Sequence, residues 1–142
     1  MSHKLTELKS LTQAKLEKSI TLFTSSVDGL DPYDSAYNYS SQELMPYDAL
    51  TSRFMRVYEM AIKFFKVLDL MESLHPSESL RDLIHNTSKL GFIQSEEVWF
   101  EMRIVRNQIT HDYLPVEFKI MFDFITNEFL NEIMFLQRKI KT

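Results

Sequence analysis

The sequence predicts an all-α protein, an up-and-down antiparallel bundle of four long helices and one short helix. Apolar residues recur at steps of three and four through most of the chain, which is the period of a buried helix face. Only two glycines and four prolines occur among the 142 residues, so few positions favour the turns that many short strands would need. A chain of this length is predicted to form one domain, residues 1–142, with a substantial core.

The N-terminal segment predicts a helix that ends at Gly29, a residue type favoured just past a helix end. Its apolar face consists of Leu16, Ile20, Phe23 and Val27, and Leu5, Leu8 and Leu11 are predicted to extend this face toward the N-terminus. The next segment, Leu30 to Pro46, is predicted to be a loop, long against the usual ~4–6 residues. Four tyrosines crowd this loop and its exit: Tyr33, Tyr37, Tyr39 and Tyr47. They are predicted to pin the loop to the bundle, and a binding role is the alternative.

The second helix has the most regular apolar pattern in the chain, a seam suited to the core of an antiparallel bundle. The seam consists of Leu50, Phe54, Val57, Ala61, Phe64, Leu68 and Met71. Pro76 then interrupts the chain. Ser79 and Asp82 are predicted to cap a short helix that Gly91 closes.

Ser95 is a favourable N-cap residue, and it predicts a fourth helix from about Glu96 to His111. Trp99 and Phe100 are predicted to anchor this helix in the core or in a dimer interface. Pro115 suits the first turn of a fifth helix. The apolar stripe of that helix consists of Phe118, Phe122, Ile125, Phe129, Ile133, Leu136 and Ile140.

Composition limits the kinds of site that are available. The absence of cysteine excludes disulfides and thiolate metal sites. The formal net charge of −4 disfavours a broad cationic surface for nucleic acid, although a concentrated phosphate site, or one doubled by oligomerisation, remains compatible with it. No apolar run reaches the ~18 residues of a membrane span, and the N-terminus lacks a signal-peptide core. We expect a cytoplasmic protein without a membrane segment.

The end of the fourth helix has the densest group of reactive and anion-binding side chains. Helical geometry places Arg106, Asn107, Thr110, His111 and Tyr113 within an arc of roughly 160°, opposite a core-facing side. Arginine offers fixed donors to phosphate oxygens, and histidine exchanges protons near neutral pH. Together they suit cleavage of a phosphodiester without a metal. The same residues also fit a plain helix end, with His111 capping carbonyls and Arg106 paired to an acid.

The stretch Arg106-Asn107-x-x-x-His111-x-Tyr113 resembles the signature of the HEPN superfamily, and in particular that of HepT-like toxins. A second stretch, from Arg53-Phe54 through Glu59 and Ala61 to Lys63, is similar to the second helix of nucleotidyltransferase substrate-binding relatives of these toxins. The order of the helices and the late position of the first stretch agree with the same HEPN-like fold. The resemblance covers most of the chain, but its specific residues lie in two helices.

The resemblance implies a metal-independent endoribonuclease that needs no cofactor and acts as the toxin of a type VII toxin–antitoxin pair. Arg106 and His111 would be the catalytic residues, and Asn107 would support them. The family forms homodimers whose two Arg/His pairs meet in a composite cleft, where RNA is cut. The implied antitoxin is a minimal nucleotidyltransferase of the MntA type, which transfers AMP from ATP onto Tyr113. The added phosphate would block RNA beside the catalytic pair.

Two other functions are compatible with the sequence. One is a non-catalytic substrate-binding or partner subunit of a minimal nucleotidyltransferase, and the other is a plain helical interaction module. Arg53, Arg56 and Lys63 lie at near-helical spacing on the second helix. They either approach the RNA or the partner, or form an ordinary solvated face.

Overall fold

The computed structural model describes residues 2–73 and 75–141, with only the backbone at Ser2. Its elements are α1 (Ser2–Val27), α2 (Ser41–Glu72), α3 (Leu80–Lys89), α4 (Glu96–Ile109), α5 (Pro115–Phe124), a π-helical turn (Ile125–Phe129) and α6 (Leu130–Lys141). The last three elements are continuous and form the predicted fifth helix. The described residues contain helices and no strand, which confirms an all-α bundle of four long helices and one short helix.

The predicted loop from Leu30 to Pro46 is too long, because α2 already begins at Ser41. The Ser40 hydroxyl accepts a hydrogen bond from the Glu43 N–H at 3.1 Å, and the Glu43 carboxylate accepts one from the Ser40 N–H at 2.9 Å. This reciprocal capping box starts the helix before Pro46 is reached. Pro46 lies inside α2 at an exposed position, where water can bond the carbonyl that loses its donor.

Buried aromatic rings attach the shortened loop to the bundle, as predicted, although Tyr37 is 49% exposed and is not one of them. Tyr33 stacks on Tyr39 with ring centroids 5.0 Å apart and meets Phe118 of α5 edge-on at 4.6 Å. The Tyr47 hydroxyl donates to the Asp31 carbonyl at 2.8 Å. Tyr33 and Tyr47 are both nearly fully buried. Their rings therefore contribute to the core and hold the loop against α5.

The predicted apolar faces of α2 and of the last helix meet in the centre of the bundle. Phe129 contacts Phe23 and Phe54 edge-on, with centroids 5.0 Å and 4.6 Å apart. All predicted seam residues of α2 are buried except Met71, which is 39% exposed in the last turn of the helix. In the predicted stripe of the last helix, only Ile140 falls short of burial. The predicted extension of the α1 face was wrong for Leu8 and Leu11, which are 40% and 52% exposed.

The π-helical turn was not predicted, and two of its side chains bond to backbone carbonyls of the preceding turn. The Thr126 hydroxyl donates to the Phe122 carbonyl at 2.9 Å, and the Asn127 amide donates to the Asp123 carbonyl at 2.7 Å. These bonds supply donors to backbone carbonyls where a widened turn disturbs the usual i to i−4 pattern. The turn keeps both of its apolar ends, Ile125 and Phe129, fully buried.

A buried carboxylate joins the start of α4 to α6. Glu132 is 2% exposed. One of its oxygens, Oε1, accepts hydrogen bonds from the N–H groups of Gln94 and Ser95 at 2.7 and 3.1 Å and from Trp99 Nε1 at 3.1 Å. Trp99 is fully buried, which confirms its predicted role as the anchor of this helix. Hydrogen bonds to a charged acceptor are stronger than neutral ones, so this contact fixes where α4 begins.

The short helix begins as the sequence predicts. The Ser79 hydroxyl accepts a hydrogen bond from the Asp82 N–H at 3.1 Å, and the chain leaves α3 through Gly91 with φ at +92°. Just before it, the buried Asp69 of α2 accepts from the N–H and hydroxyl of Ser77 at 2.6 and 3.1 Å.

Among the described residues, no helix is long and apolar enough to cross a bilayer.

We expect Glu132→Ala to lower the free energy of unfolding by about 3 kcal/mol, because it leaves buried donors without their shared acceptor. Urea denaturation of the purified protein measures this change. Glu128→Ala is the matched control, since Glu128 is an exposed acid one turn earlier, and we expect it to stay within about 0.5 kcal/mol of the wild type. Equal effects of the two substitutions would contradict the anchoring role of Glu132.

Candidate functional site

The helix that carries the candidate site ends at Ile109 rather than at the predicted His111. Thr110 caps it, and its hydroxyl donates to the Asn107 carbonyl at 2.7 Å. Leu114 is extended, with φ −84° and ψ 157°, because the residue before a proline avoids the helical conformation. The sequence-based arc, which assumed a continuous helix, is therefore wrong for His111 and Tyr113.

Arg106 lies against α2. Its Nη2 donates to Glu59 Oε1 at 3.2 Å, and the two side chains are 37% and 43% exposed. Its Nη1 lies 3.5 Å from Asn107 Oδ1, a weak contact at the limit of hydrogen bonding. Its Nε is covered and has no hydrogen-bond partner among the described residues. Glu59 thus orients the guanidinium, and Nη1 is the nitrogen whose donors are left weakly engaged.

Glu59 contacts the candidate site, and the sequence alone assigned this residue no role there. It lies 47 positions before Arg106, so helix periodicity within either segment could not pair the two residues. The available signal was its place in the stretch from Arg53 to Lys63, which carried the second part of the family resemblance.

His111 and Tyr113 share a different surface from Arg106. Both line a shallow depression of about 100 Å³ between the end of α4 and α5. The other lining residues are Gln108, Asp112, Glu117 and Met121. His111 is exposed, so its imidazole can reach a ligand. The structure therefore groups Arg106 with Asn107 on the α2 side, and His111 with Tyr113 on the α5 side.

Tyr113 lies between two depressions and is 39% exposed. Its ring stacks on Phe118 with centroids 5.7 Å apart. It also lines a pocket of about 150 Å³ between α2 and α5, together with Tyr47 and Asp48. Burial raises the pKa of Tyr113, and the negative charge of Asp48 raises it further. The phenol is consequently neutral at physiological pH.

Two arginines of α4 influence the ionisation of one tyrosine of α2. Tyr58 is 7% exposed, and burial raises the pKa of its hydroxyl while the cations Arg103 and Arg106 oppose that rise. Both guanidinium groups therefore lie near Tyr58. This side of α4 presents positive charge toward α2, in a protein whose formal net charge is −4.

Residues 9–142 match the family model of nucleotidyltransferase substrate binding protein-like proteins. The chain belongs to this family. The match spans most of α1 and all later helices of this nucleotidyltransferase substrate binding protein-like chain. It confirms the resemblance that the second helix suggested. No curated protein and no solved structure matches the chain.

The buried tyrosines of the bundle predict a loss of stability in alkali. Burial, followed by hydrogen bonding and electrostatic repulsion from Tyr39, raises the pKa of Tyr47 to about 12. Burial also raises the pKa values of Tyr33 and Tyr58. Folding favours the neutral form of these phenols. Their contribution to the free energy of unfolding is therefore complete below pH ~10, the pKa in the unfolded chain, and declines as pH rises through the pKa values of the folded protein.

We expect the midpoint of urea unfolding to fall steadily between pH 10 and about pH 12. The substitution Tyr47→Phe should make this midpoint less dependent on pH. Absorbance of the phenolate at about 295 nm follows the titration itself. A midpoint that stays constant over this range, while the phenols ionise, would contradict the assignment of the pKa shifts to the folded state.

Proposed function

We propose that this protein is the helical partner of a nucleotidyltransferase and that two copies of it form a metal-independent endoribonuclease. In this proposal it is the toxin of a toxin–antitoxin pair, and AMPylation of Tyr113 by the partner neutralises it. One observation carries the proposal: an acid-oriented Arg106 and an exposed His111 lie at the end of α4, beside a partly exposed Tyr113. They do so in a nucleotidyltransferase substrate binding protein-like chain.

Arg106 is suited to hold the reacting phosphate. Glu59 engages Nη2 and Nε is covered, so the donors left for a phosphate are those of Nη1, which makes only its 3.5 Å contact with Asn107. A half-exposed ion pair is worth about 0–1 kcal/mol, so a phosphate can compete for the guanidinium at small cost. Charge that develops on the phosphate oxygens would then be stabilised by Arg106.

His111 is suited to move a proton during cleavage. The ribose 2′-oxygen forms a bond to phosphorus and gives its proton to an imidazole acting as base, while the bond from phosphorus to the 5′-oxygen breaks. The 5′-oxygen leaves with a proton from an acid. The products are a 2′,3′-cyclic phosphate and a 5′-hydroxyl.

A single chain supplies one histidine to this end of α4, whereas the reaction uses a base and an acid. Two copies would bring two His111 and two Arg106 side chains to one cleft, so that one imidazole accepts a proton as the other donates. Dimerisation would also double the local positive charge in a protein of net charge −4, which favours a polyanionic substrate.

Tyr113 is placed for the proposed silencing. In AMPylation its hydroxyl oxygen forms a bond to the α-phosphorus of ATP, the bond to the β-phosphate breaks, and pyrophosphate leaves. Because the phenol has a raised pKa and is neutral, the nucleotidyltransferase has to provide the base that takes its proton. Tyr113 shares a depression with His111, so the added phosphate would lie beside the catalytic imidazole and repel RNA.

A second candidate function is a non-catalytic subunit that binds substrate for, or presents itself to, a nucleotidyltransferase. The family description favours this candidate directly. It shares the partner and the exposed Tyr113 with the first proposal, but it assigns no chemistry to Arg106 and His111. An assay of RNA cleavage by the isolated chain distinguishes the two functions, since only the first proposal requires cleavage.

For RNA cleavage, we expect the purified wild-type chain to produce fragments with 2′,3′-cyclic phosphate ends in the presence of EDTA. Arg106→Ala and His111→Ala should each lower the rate at least about 100-fold, because each removes a group that acts in the transition state. Arg138→Ala and His85→Ala are matched controls at exposed positions outside the site and should retain activity. Full activity in the first two variants would contradict the proposed site.

For silencing, incubation with ATP and the nucleotidyltransferase encoded beside the gene should add the mass of AMP to a peptide that contains Tyr113. Tyr113→Phe should abolish the addition, whereas Tyr37→Phe, which alters another exposed tyrosine, should not. Tandem mass spectrometry locates the modified residue. Inhibition of cleavage with an unmodified Tyr113 would show that the partner inhibits by binding alone.

A further inference from the structure

A groove of about 640 Å³ between α1 and α2 collects positive charge. Lys15 and Lys18 line it from α1, and Arg56 and Lys63 line it from α2. The remaining lining side chains are neutral. The protein has 16 lysines and arginines against 20 acids. Because four cations and no acid line this groove, its local field is opposite in sign to the net charge of the protein.

The four cations of this basic groove are unpaired. In the described part of the chain none of them forms an ion pair or a hydrogen bond, and all four side chains are exposed. Lys119, by contrast, pairs with Asp123 at 3.0 Å on its own helix. The charge in the groove is therefore available to an external anion, with no intramolecular partner to displace.

The spacing of these cations suits a chain of phosphates better than a single ion. Arg56 and Lys63 lie seven residues apart on one face of α2, about 10 Å along its axis. Lys15 and Lys18 form the opposite row. A row of this length faces two or three successive phosphates of a strand, as cationic grooves do in proteins that track a single-stranded backbone. Leu22, 40% exposed in the same groove, offers an apolar contact to a base.

The groove adjoins the candidate site at Glu59 of α2. Glu59, which binds Arg106, lies three residues after Arg56 and four before Lys63, so these three side chains share one stripe of α2. Arg53 ties the two walls of the groove together, since its Nη1 donates to the Leu22 carbonyl at 2.9 Å and to the Ser26 hydroxyl at 2.7 Å. An anionic strand in the groove therefore reaches Arg106 past Glu59, whose negative charge is paired with that arginine.

We infer that the basic groove binds the phosphodiester backbone of single-stranded RNA and leads it toward Arg106. This inference rests on the proposed function in naming RNA as the source of the phosphates. Arg56 and Lys63 thereby acquire a binding role, whereas Arg53 holds α1 to α2. The lysines of α1 belong to the same surface, although they lie about 40 positions earlier in the sequence.

The test measures how tightly the protein binds a fluorescein-labelled, fully 2′-O-methylated RNA, which lacks the hydroxyl needed for cleavage. Fluorescence anisotropy gives the dissociation constant at each of several salt concentrations. The groove variant combines Lys15→Gln, Lys18→Gln, Arg56→Gln and Lys63→Gln. The control variant combines Lys4→Gln, Lys89→Gln, Arg138→Gln and Lys141→Gln, which removes the same charge from exposed positions elsewhere. Thermal unfolding verifies that both variants fold.

We expect the groove variant to bind at least about 10-fold more weakly, and its salt slope to fall by about 0.7 for each phosphate that the groove no longer neutralises. The control should remain close to the wild type. Equal weakening in both variants would overturn the inference, because net charge alone would then explain binding. Groove-dependent binding of ATP or tripolyphosphate, with RNA bound equally by both variants, would also overturn it.

The outcomes for the groove and for the proposed function are separable. If natural RNA is not cleaved by the wild type but binding still depends on the groove, the ribonuclease proposal fails and the groove stands. If natural RNA is cleaved but both variants bind the methylated RNA equally well, the groove assignment fails and the ribonuclease proposal stands.

Discussion

The position of α4 depends on one buried carboxylate. Glu132 of α6 accepts hydrogen bonds from Gln94, Ser95 and Trp99, all at the beginning of α4 or just before it. Arg106 lies ten residues beyond Glu96, the first residue of α4, or about 15 Å along the helix axis. A small tilt at the anchored end is magnified over that length. The geometry between Arg106 and Glu59 therefore depends on a contact far from the candidate site.

Most of the fold could be predicted from local sequence, because apolar spacing and caps act over short distances. The predicted end of the loop was wrong because two local sequence signals, a proline and a capping box, favour different starting points for α2. Pro46 usually marks a boundary, but the capping box of Ser40 and Glu43 is satisfied earlier and outweighs one missing backbone donor at an exposed position. The role of Glu132 was missed because its donors lie more than 30 residues away.

The candidate site could be predicted in composition but only partly in geometry. The residues that the sequence grouped do lie at one end of α4, but the chain leaves the helical path at Thr110, so Arg106 and His111 face different neighbours. The partner of Arg106 comes from α2, and the second row of groove cations comes from α1. Such groupings follow from the packing of helices, which periodicity within one helix does not specify.

The π-helical turn between α5 and α6 has a consequence for how the length of this helix can vary. A π turn holds one residue more than an ordinary α-helical turn, with regular helix on both sides. Deleting one residue within Ile125–Phe129 would convert it to an α-helical turn without rotating either flank. Phe118 would keep its place beside Tyr113, and Glu132 its place beside Trp99. The fold can therefore lose one residue at this turn and leave both the core and the candidate site aligned.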